Sequence, residues 1–166
     1  MLHIETIKPE TLDLLKRLMS DDFLKSYNLV GGTSLALQMG HRISIDLDLF
    51  STTALQTDEL EKYLKENYDG FEKLRENNFT LISEIKGVKV DFINYPYPLL
   101  DELVVDQGIR MYGFKDISAM KLSAISNTGT RLKDYVDVAC LSSYMSLYDM
   151  LDNFEKKFES NTSHTY

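Results

Sequence analysis

A chain of 166 residues with 43% apolar content and a single cysteine, Cys140, is sized for one ordinary domain and excludes both a disulfide framework and a Cys/His zinc site. Its net charge of −8 argues against a protein that coats nucleic acid through a general positive field, because neutralisation of phosphates by Lys and Arg drives that binding. With no signal-peptide pattern at the start, and no apolar run long enough to span a bilayer, a reducing cytoplasmic setting without a membrane partner is expected.

In chain order, Pro9 followed by Leu12, Leu15 and Leu18 predicts a helix with proline in its first turn and one apolar face. Tyr27 to Val30 reads as a short strand broken by Gly31-Gly32. Thr33 or Ser34 then caps a helix through Leu35, Ala36, Leu37 and Met39, which Gly40 stops. Ile43 to Phe50 alternates as a strand. Thr57 caps a further helix whose first turn carries Asp58 and Glu59, in keeping with the helix dipole. Phe79 to Ile85 and Val88 to Ile93 flank Lys86-Gly87, a hairpin turn. On the second of these strands Val88, Val90 and Phe92 share one face, while Lys89 and Asp91 share the other. Tyr95-Pro96-Tyr97-Pro98 closes the sheet region, since proline removes ladder donors.

The pattern then turns helical. Asp116 caps a helix to Ser126, Asn127-Thr128-Gly129 breaks it, and Leu132, Val136, Ala139, Cys140 and Ser143 form the inner stripe of the next helix. Arg110, Lys115, Lys121, Arg131 and Lys133 stand against Asp116 alone, a basic segment that reads as a solvated face. The expected class is α+β, a small mixed β-sheet flanked by helices with a helical C-terminal part. Residues 1–100 would form the sheet core, 101–158 the helical part of the same compact unit, and 159–166 a frayed tail.

The chemistry concentrates between Val30 and Phe50. Asp46 and Asp48, two apart on a strand, would project from one face, and Asp91 on a neighbouring strand would supply a third carboxylate. Such carboxylates repel unless a cation relieves them, and hard oxygen ligands suit Mg2+, whose shell substrate phosphate commonly completes. Gly31-Gly32-Thr33-Ser34 offers the complementary half: glycines that let a phosphate approach, a helix start with unpaired N–H groups, and two hydroxyls. It is not a P-loop, because no Gly-Lys-Ser/Thr follows. Taken singly, the turn is more often a capped helix start, and an Asp-x-Asp pair is common by chance. Their order along the chain points to a phosphate and metal site.

The stretches "GGTSLALQMGHRISIDLDLFS" (Gly31 to Ser51), "VKVDFI" (Val88 to Ile93) and "DISAMKLSAI…RLKDYVDVACL" (Asp116 to Leu141) resemble the AbiEii/AbiGii-type nucleotidyltransferase toxins of the DNA polymerase beta-like superfamily. The resemblance implies a nucleotidyltransferase fold and an enzyme that moves an NMP from an NTP to an acceptor hydroxyl with Mg2+, through a site for two metal ions. It implies that Gly31, Gly32, Thr33 and Ser34 hold nucleotide phosphates, that Asp46 and Asp48 bind metal with Asp91 as the third carboxylate, and that Lys121 contacts phosphate. Asp134 and Asp137 lie where a second essential aspartate is expected, and Arg42 also matches. Members often carry arginine before the inter-helix glycine, where this chain has Thr128, so Arg131 is the substitute candidate. Lys133 is a further phosphate candidate, against an ordinary ion pair with Asp137 one helical turn on. The implied acceptor is the 3′ end of a tRNA or another RNA. The implied setting is a type IV toxin–antitoxin or abortive-infection phage-defence pair with a separate antitoxin chain. Two other classes stay open: a noncatalytic nucleotide-binding or interaction module that keeps the fold, and an Asp-x-Asp glycosyltransferase.

Overall fold

A computed structural model describes residues 1–53 and 56–159; the rest of the tail expected to fray, 160–166, lies outside the described residues. The chain divides into two units, Met1–Pro96 with Val105–Met111, and Tyr97–Val104 with the chain from Tyr112 onward.

In the first unit, Pro9 opens α1 (Pro9–Ser20), where its missing N–H has no intrahelical partner to lose. Thr11, Leu15, Leu18 and Met19 form the buried side of that helix. Strand β1 (Asn28–Val30) runs directly into α2 (Gly31–Met39), which begins two residues before the expected caps: Val30 is the N-cap, and Thr33 and Ser34 lie inside the helix. Gly40 ends α2 with φ 70°, donating its N–H to the Ala36 carbonyl, a left-handed stop that glycine adopts without a Cβ penalty. The strand expected over 43–50 is shorter: β2 is Leu47–Ser51. Residues 43–46 are instead a connection pinned by the Ser44 N–H to the Thr6 carbonyl at 2.9 Å, with Ile43 and Ile45 facing out. The next helix, α3 (Thr57–Asn67), has Gln56 as its N-cap, so Thr57 is its first residue and not its cap.

Three strands follow, β3 (Phe71–Asn77), β4 (Thr80–Ile85) and β5 (Val88–Asn94). The turn at Lys86 (φ 51°) and Gly87 (φ 80°) joins β4 to β5 as expected. β3 escapes pattern reading because its charged residues Glu72, Lys73, Arg75 and Glu76 leave little alternation. It exists because it pairs antiparallel with β4 along its length, with one register shift between Lys73 and Arg75, and its charges protect an exposed edge. A second short hairpin, β6 (Val104–Asp106) and β7 (Ile109–Met111), stands where the pattern predicted helix. The sheet has the order β3-β4-β5-β2-β1-β7-β6. β1 pairs antiparallel with β2, β2 pairs parallel with β5, and β1 pairs parallel with β7. The expected α+β class with a mixed sheet therefore holds. One sheet face buries Leu47, Leu49, Leu81, Ile85, Val90 and Phe92 against a core that includes Leu15, Leu18, Leu60 and Leu64. Alternation leaves the other face of β2 and β5 to Asp48, Lys89 and Asp91.

The second unit consists of α4 (Phe114–Asn127), α5 (Leu132–Leu141) and α6 (Leu147–Phe158) with the segment 97–104. Its interior is unusually polar. Asp116 does not cap α4, whose N-cap is Gly113; it is fully buried, bonded to Lys157 Nζ at 2.5 Å and to the Leu100 N–H at 3.0 Å. Lys157 also donates to the Pro98 carbonyl at 2.9 Å and lies 5.4 Å from the centre of the Tyr112 ring. α5 turns the expected stripe around: Leu132 is 76% and Val136 40% exposed, while Asp134, Asp137 and Leu141 face inward. The basic segment is a solvated face only in part: Lys115, Arg131 and Lys133 are exposed, while Lys121 is buried and Arg110 donates to the carbonyls of Met19 and Tyr27.

α6 opens with a capping box in which Ser146 Oγ accepts the Asp149 N–H and the Asp149 carboxylate accepts the Ser146 N–H. Ser146→Ala is expected to lower stability by about 1 kcal/mol, read from the urea midpoint at unchanged m-value.

Candidate functional site

Asp48 and Asp91 are register partners on the parallel pair β2 and β5, so their side chains leave the same sheet face from neighbouring strands. On its other side Asp48 is register partner to Val30, the residue that precedes α2. This topology brings the carboxylate against the glycine turn. A Cβ built on Gly31 would stand 2.5 Å from Asp48 Oδ2, and Gly31 has φ 68°, so the position requires glycine for both space and backbone. At Gly32 the space a Cβ would fill is held by the Arg42 guanidinium. The glycines thus make room for the protein's own Asp48 and Arg42, a closer fit than an open phosphate approach.

Asp46 lies just before β2, where the Thr33 hydroxyl bonds to its backbone carbonyl and to Ser44 Oγ at 2.8 Å. Thr33 therefore ties α2 to the entry of the acidic strand and is buried in doing so. Ser34 is also fully buried, its Oγ accepting from Gln38 Nε2 at 3.0 Å. Neither hydroxyl stands exposed; what α2 presents at its start is the first N–H groups and the positive end of its dipole.

Asp91 is 7% exposed, and its Oδ1 is buried without a hydrogen-bond partner, while Oδ2 pairs with Lys89 Nζ at 3.0 Å. Burial pushes the Asp91 carboxyl above its ordinary value, Lys89 pulls it back, and the negative field of Asp46 adds to the upward push. For Lys89, burial acts downward and is outweighed by the bond to Asp91 and the fields of Asp46 and Asp48, which hold the ammonium above its ordinary value. The sequence placed Lys89 and Asp91 on one face without giving the lysine a role; two-residue spacing on a strand was the available signal.

Among the described residues, no three His, Cys, Asp or Glu side chains stand close enough to form a ready-made metal cage. Mg2+ does not require one, because it is commonly held by one or two carboxylates together with substrate phosphates. An orphaned buried oxygen on Asp91, beside hard carboxylate donors, fits that ion.

The other predicted site residues lie in the second unit, described by itself. Lys121, on α4 and 7% exposed, bonds to Asp134 Oδ1 at 2.8 Å and to Asp137 Oδ2 at 2.7 Å on α5. Asp137 faces inward to Lys121, while Lys133 is exposed. Arg131 is exposed, with Nε 3.9 Å from Asp134 Oδ2.

Gly31→Ala is expected to destabilise the chain by about 1–3 kcal/mol, from left-handed backbone and the displaced Asp48 carboxylate, measured by urea unfolding.

The family model for the nucleotidyl transferase AbiEii toxin, Type IV TA system, matches residues 13–93. An uncharacterized protein, aq_aa25, of Aquifex aeolicus (strain VF5) is 34% identical over 137 residues, 80% of this chain; the chain spans 65% of that relative's length. Among solved structures, the antibiotic-resistance factor ANT(2'')-Ia superposes with a TM-score of 0.68 at 13% identity, covering 93% of this chain and 94% of that one. An antigenic nucleotidyltransferase-like protein from Paracoccidioides brasiliensis gives 0.56 at 16% identity, with 95% and 93% covered. At such identities the likeness establishes the fold, which is that of nucleotidyltransferases.

Proposed function

We propose that the chain, whose residues 13–93 match the family model of the AbiEii nucleotidyltransferase toxin, transfers a nucleoside monophosphate from an NTP to an acceptor hydroxyl with Mg2+. The observation that carries the reading is the Asp48 carboxylate, in register with Asp91 and lying against Gly31 at the start of α2. A helix N-terminus that favours anions and a carboxylate pair that favours cations, placed side by side, suit a metal-bound polyphosphate.

In this reading the backbone N–H groups at the start of α2, from Gly31 to Ser34, and the Arg42 guanidinium bind the phosphates. Asp46 and Asp48 hold Mg2+, with Asp91 beside them. The ion supplies charge neutralisation on the phosphates and a template for in-line displacement. The Asp91 carboxylate orients the acceptor hydroxyl and takes its proton. The acceptor oxygen forms a bond to the α-phosphorus while the bond to the bridging oxygen breaks, and pyrophosphate leaves. Lys121 has no direct phosphate contact here, because its ammonium is engaged by Asp134 and Asp137. Those two aspartates hold α4 and α5 together. Arg131 and Lys133, exposed at the start of α5, contact the backbone of an RNA acceptor.

The acceptor proposed is the 3′ end of a tRNA. The setting is the cytoplasm, where the chain acts as the toxin of a type IV pair opposed by a separate antitoxin, with phage defence as the outcome. Among the described residues, no helix is long and apolar enough to cross a membrane. The test is Mg2+-dependent incorporation of label from each of the four α-labelled NTPs into total tRNA by the purified chain. Incorporation from at least one NTP, lost on chelation, supports the reading. NTP binding without incorporation into any RNA would instead mark a noncatalytic module.

A further inference from the structure

Lys89 has no assigned part in the reaction, yet its ammonium is bonded to one of the site's carboxylates. It stands two residues before Asp91 on the same face of β5, with Nζ 3.0 Å from Asp91 Oδ2. The fields of Asp46 and Asp48 reach it as well. Its own side chain is 45% exposed while that of Asp91 is 10% exposed, so the lysine reaches from a solvated position to a buried acid. An ammonium has no lone pair and cannot ligate a metal. It can only compete for the same negative charge.

We propose that Lys89 is the resident counter-ion of the metal-free site, and that it exchanges Asp91 for the nucleotide polyphosphate when Mg2+ enters. The proposal rests on the nucleotidyltransferase reading of the carboxylates and deepens it. Asp48 and Asp91, on one face of neighbouring strands, repel, and in the metal-free protein positive charge must relieve them. When a divalent ion arrives, the ammonium is repelled from it and attracted to the phosphates that accompany it. The four-carbon stem of lysine gives the reach for that move. Metal without nucleotide leaves Lys89 with no new anion, so the lysine weakens binding of metal alone and supports binding of metal with NTP. By linkage, each of the two ligands then favours the other.

The test titrates Mn2+, in place of Mg2+, into the full chain at low ionic strength and follows free Mn2+ by electron paramagnetic resonance, without nucleotide. A singly charged group roughly 6 Å from a divalent ion, in a water-like dielectric, changes affinity by about tenfold. Lys89→Met is therefore expected to bind Mn2+ about tenfold more tightly than wild type, Lys89→Arg about as wild type, and Lys62→Met, which removes an exposed charge on α3, within about twofold of wild type. In chelator, Lys89→Met should melt below wild type, and Mn2+ should close the difference. In the transfer assay at saturating metal, Lys89→Met should raise KM for the NTP by about tenfold with kcat changed far less. Mn2+ affinity unchanged or weakened in Lys89→Met would overturn the proposal, since the lysine would then merely hold Asp91 in place. An unchanged KM would overturn the transfer to the polyphosphate. Absence of any Mn2+ binding sensitive to Asp48→Asn would overturn the nucleotidyltransferase reading itself and this proposal with it. A site that binds metal but ignores Lys89 would overturn this proposal alone.

Discussion

Asp48→Asn is expected to lower the proposed Mg2+-dependent transfer of NMP by at least about 10³-fold, because it replaces the carboxylate proposed to hold the metal by a neutral amide of the same shape. A metal ion at a phosphoryl centre contributes several kcal/mol of charge stabilisation, and each 1.36 kcal/mol is a factor of ten in rate. The fold should survive. Asp48 lies on the half-exposed face of β2, and its neighbours Leu47 and Leu49, which are buried in the core, are untouched. The measurement is the initial rate of label incorporation, paired with a thermal melt of the same preparation. A rate within tenfold of wild type, from protein melting normally, would remove Asp48 from the metal site and with it the main support for the enzyme. Asn also keeps the space beside Gly31 filled, so a loss of activity reports on charge and not on a collapsed turn.

Lys121→Met is expected to produce the largest stability loss in the chain, about 3–5 kcal/mol. Asp134 is 2% and Asp137 0% exposed, and both bond to the Lys121 ammonium. Removing that partner leaves two carboxylates buried without their cation, and it is the uncompensated charge, more than the lost attraction, that destabilises. Against a total of about 5–15 kcal/mol for an ordinary domain, this is enough to unfold a large fraction of molecules near physiological temperature. Urea unfolding followed by far-UV circular dichroism measures it, and amide hydrogen exchange in α4 and α5 localises it. The combined variant Lys121→Met/Asp134→Asn/Asp137→Asn should recover much of the loss, because no buried charge then remains. If Lys121→Met alone leaves the midpoint unchanged, the three residues do not hold the helices together, and the lysine is available for a phosphate after all.

The sequence by itself determined the features that local geometry dictates. Gly31 ends β1 and Gly40 ends α2 because each takes a positive φ that side chains resist, and Lys86-Gly87 makes its hairpin for the same reason. Alternation along Val88 to Phe92 assigned Lys89 and Asp91 to the outer face, because that period is a property of the extended backbone. Motif order also anticipated the family model that matches, since the Gly-Gly turn and the Asp-x-Asp motif fall within the matched residues 13–93.

Tertiary structure decided what lies inside and which charges meet. α5 was read with its apolar residues inward, yet Asp134 and Asp137 face in, because Lys121 on another helix neutralises them there. Asp46 and Asp48 were read as a pair on one strand, whereas the structure sets Asp48 beside Asp91 across a parallel ladder and leaves Asp46 ahead of the strand. β3 became a strand through its partner β4 and not through its own pattern. In each case the deciding energy comes from a group distant in sequence, a counter-charge or a ladder neighbour. Periodicity records what a segment prefers in isolation and is silent about which partner the fold will bring to it.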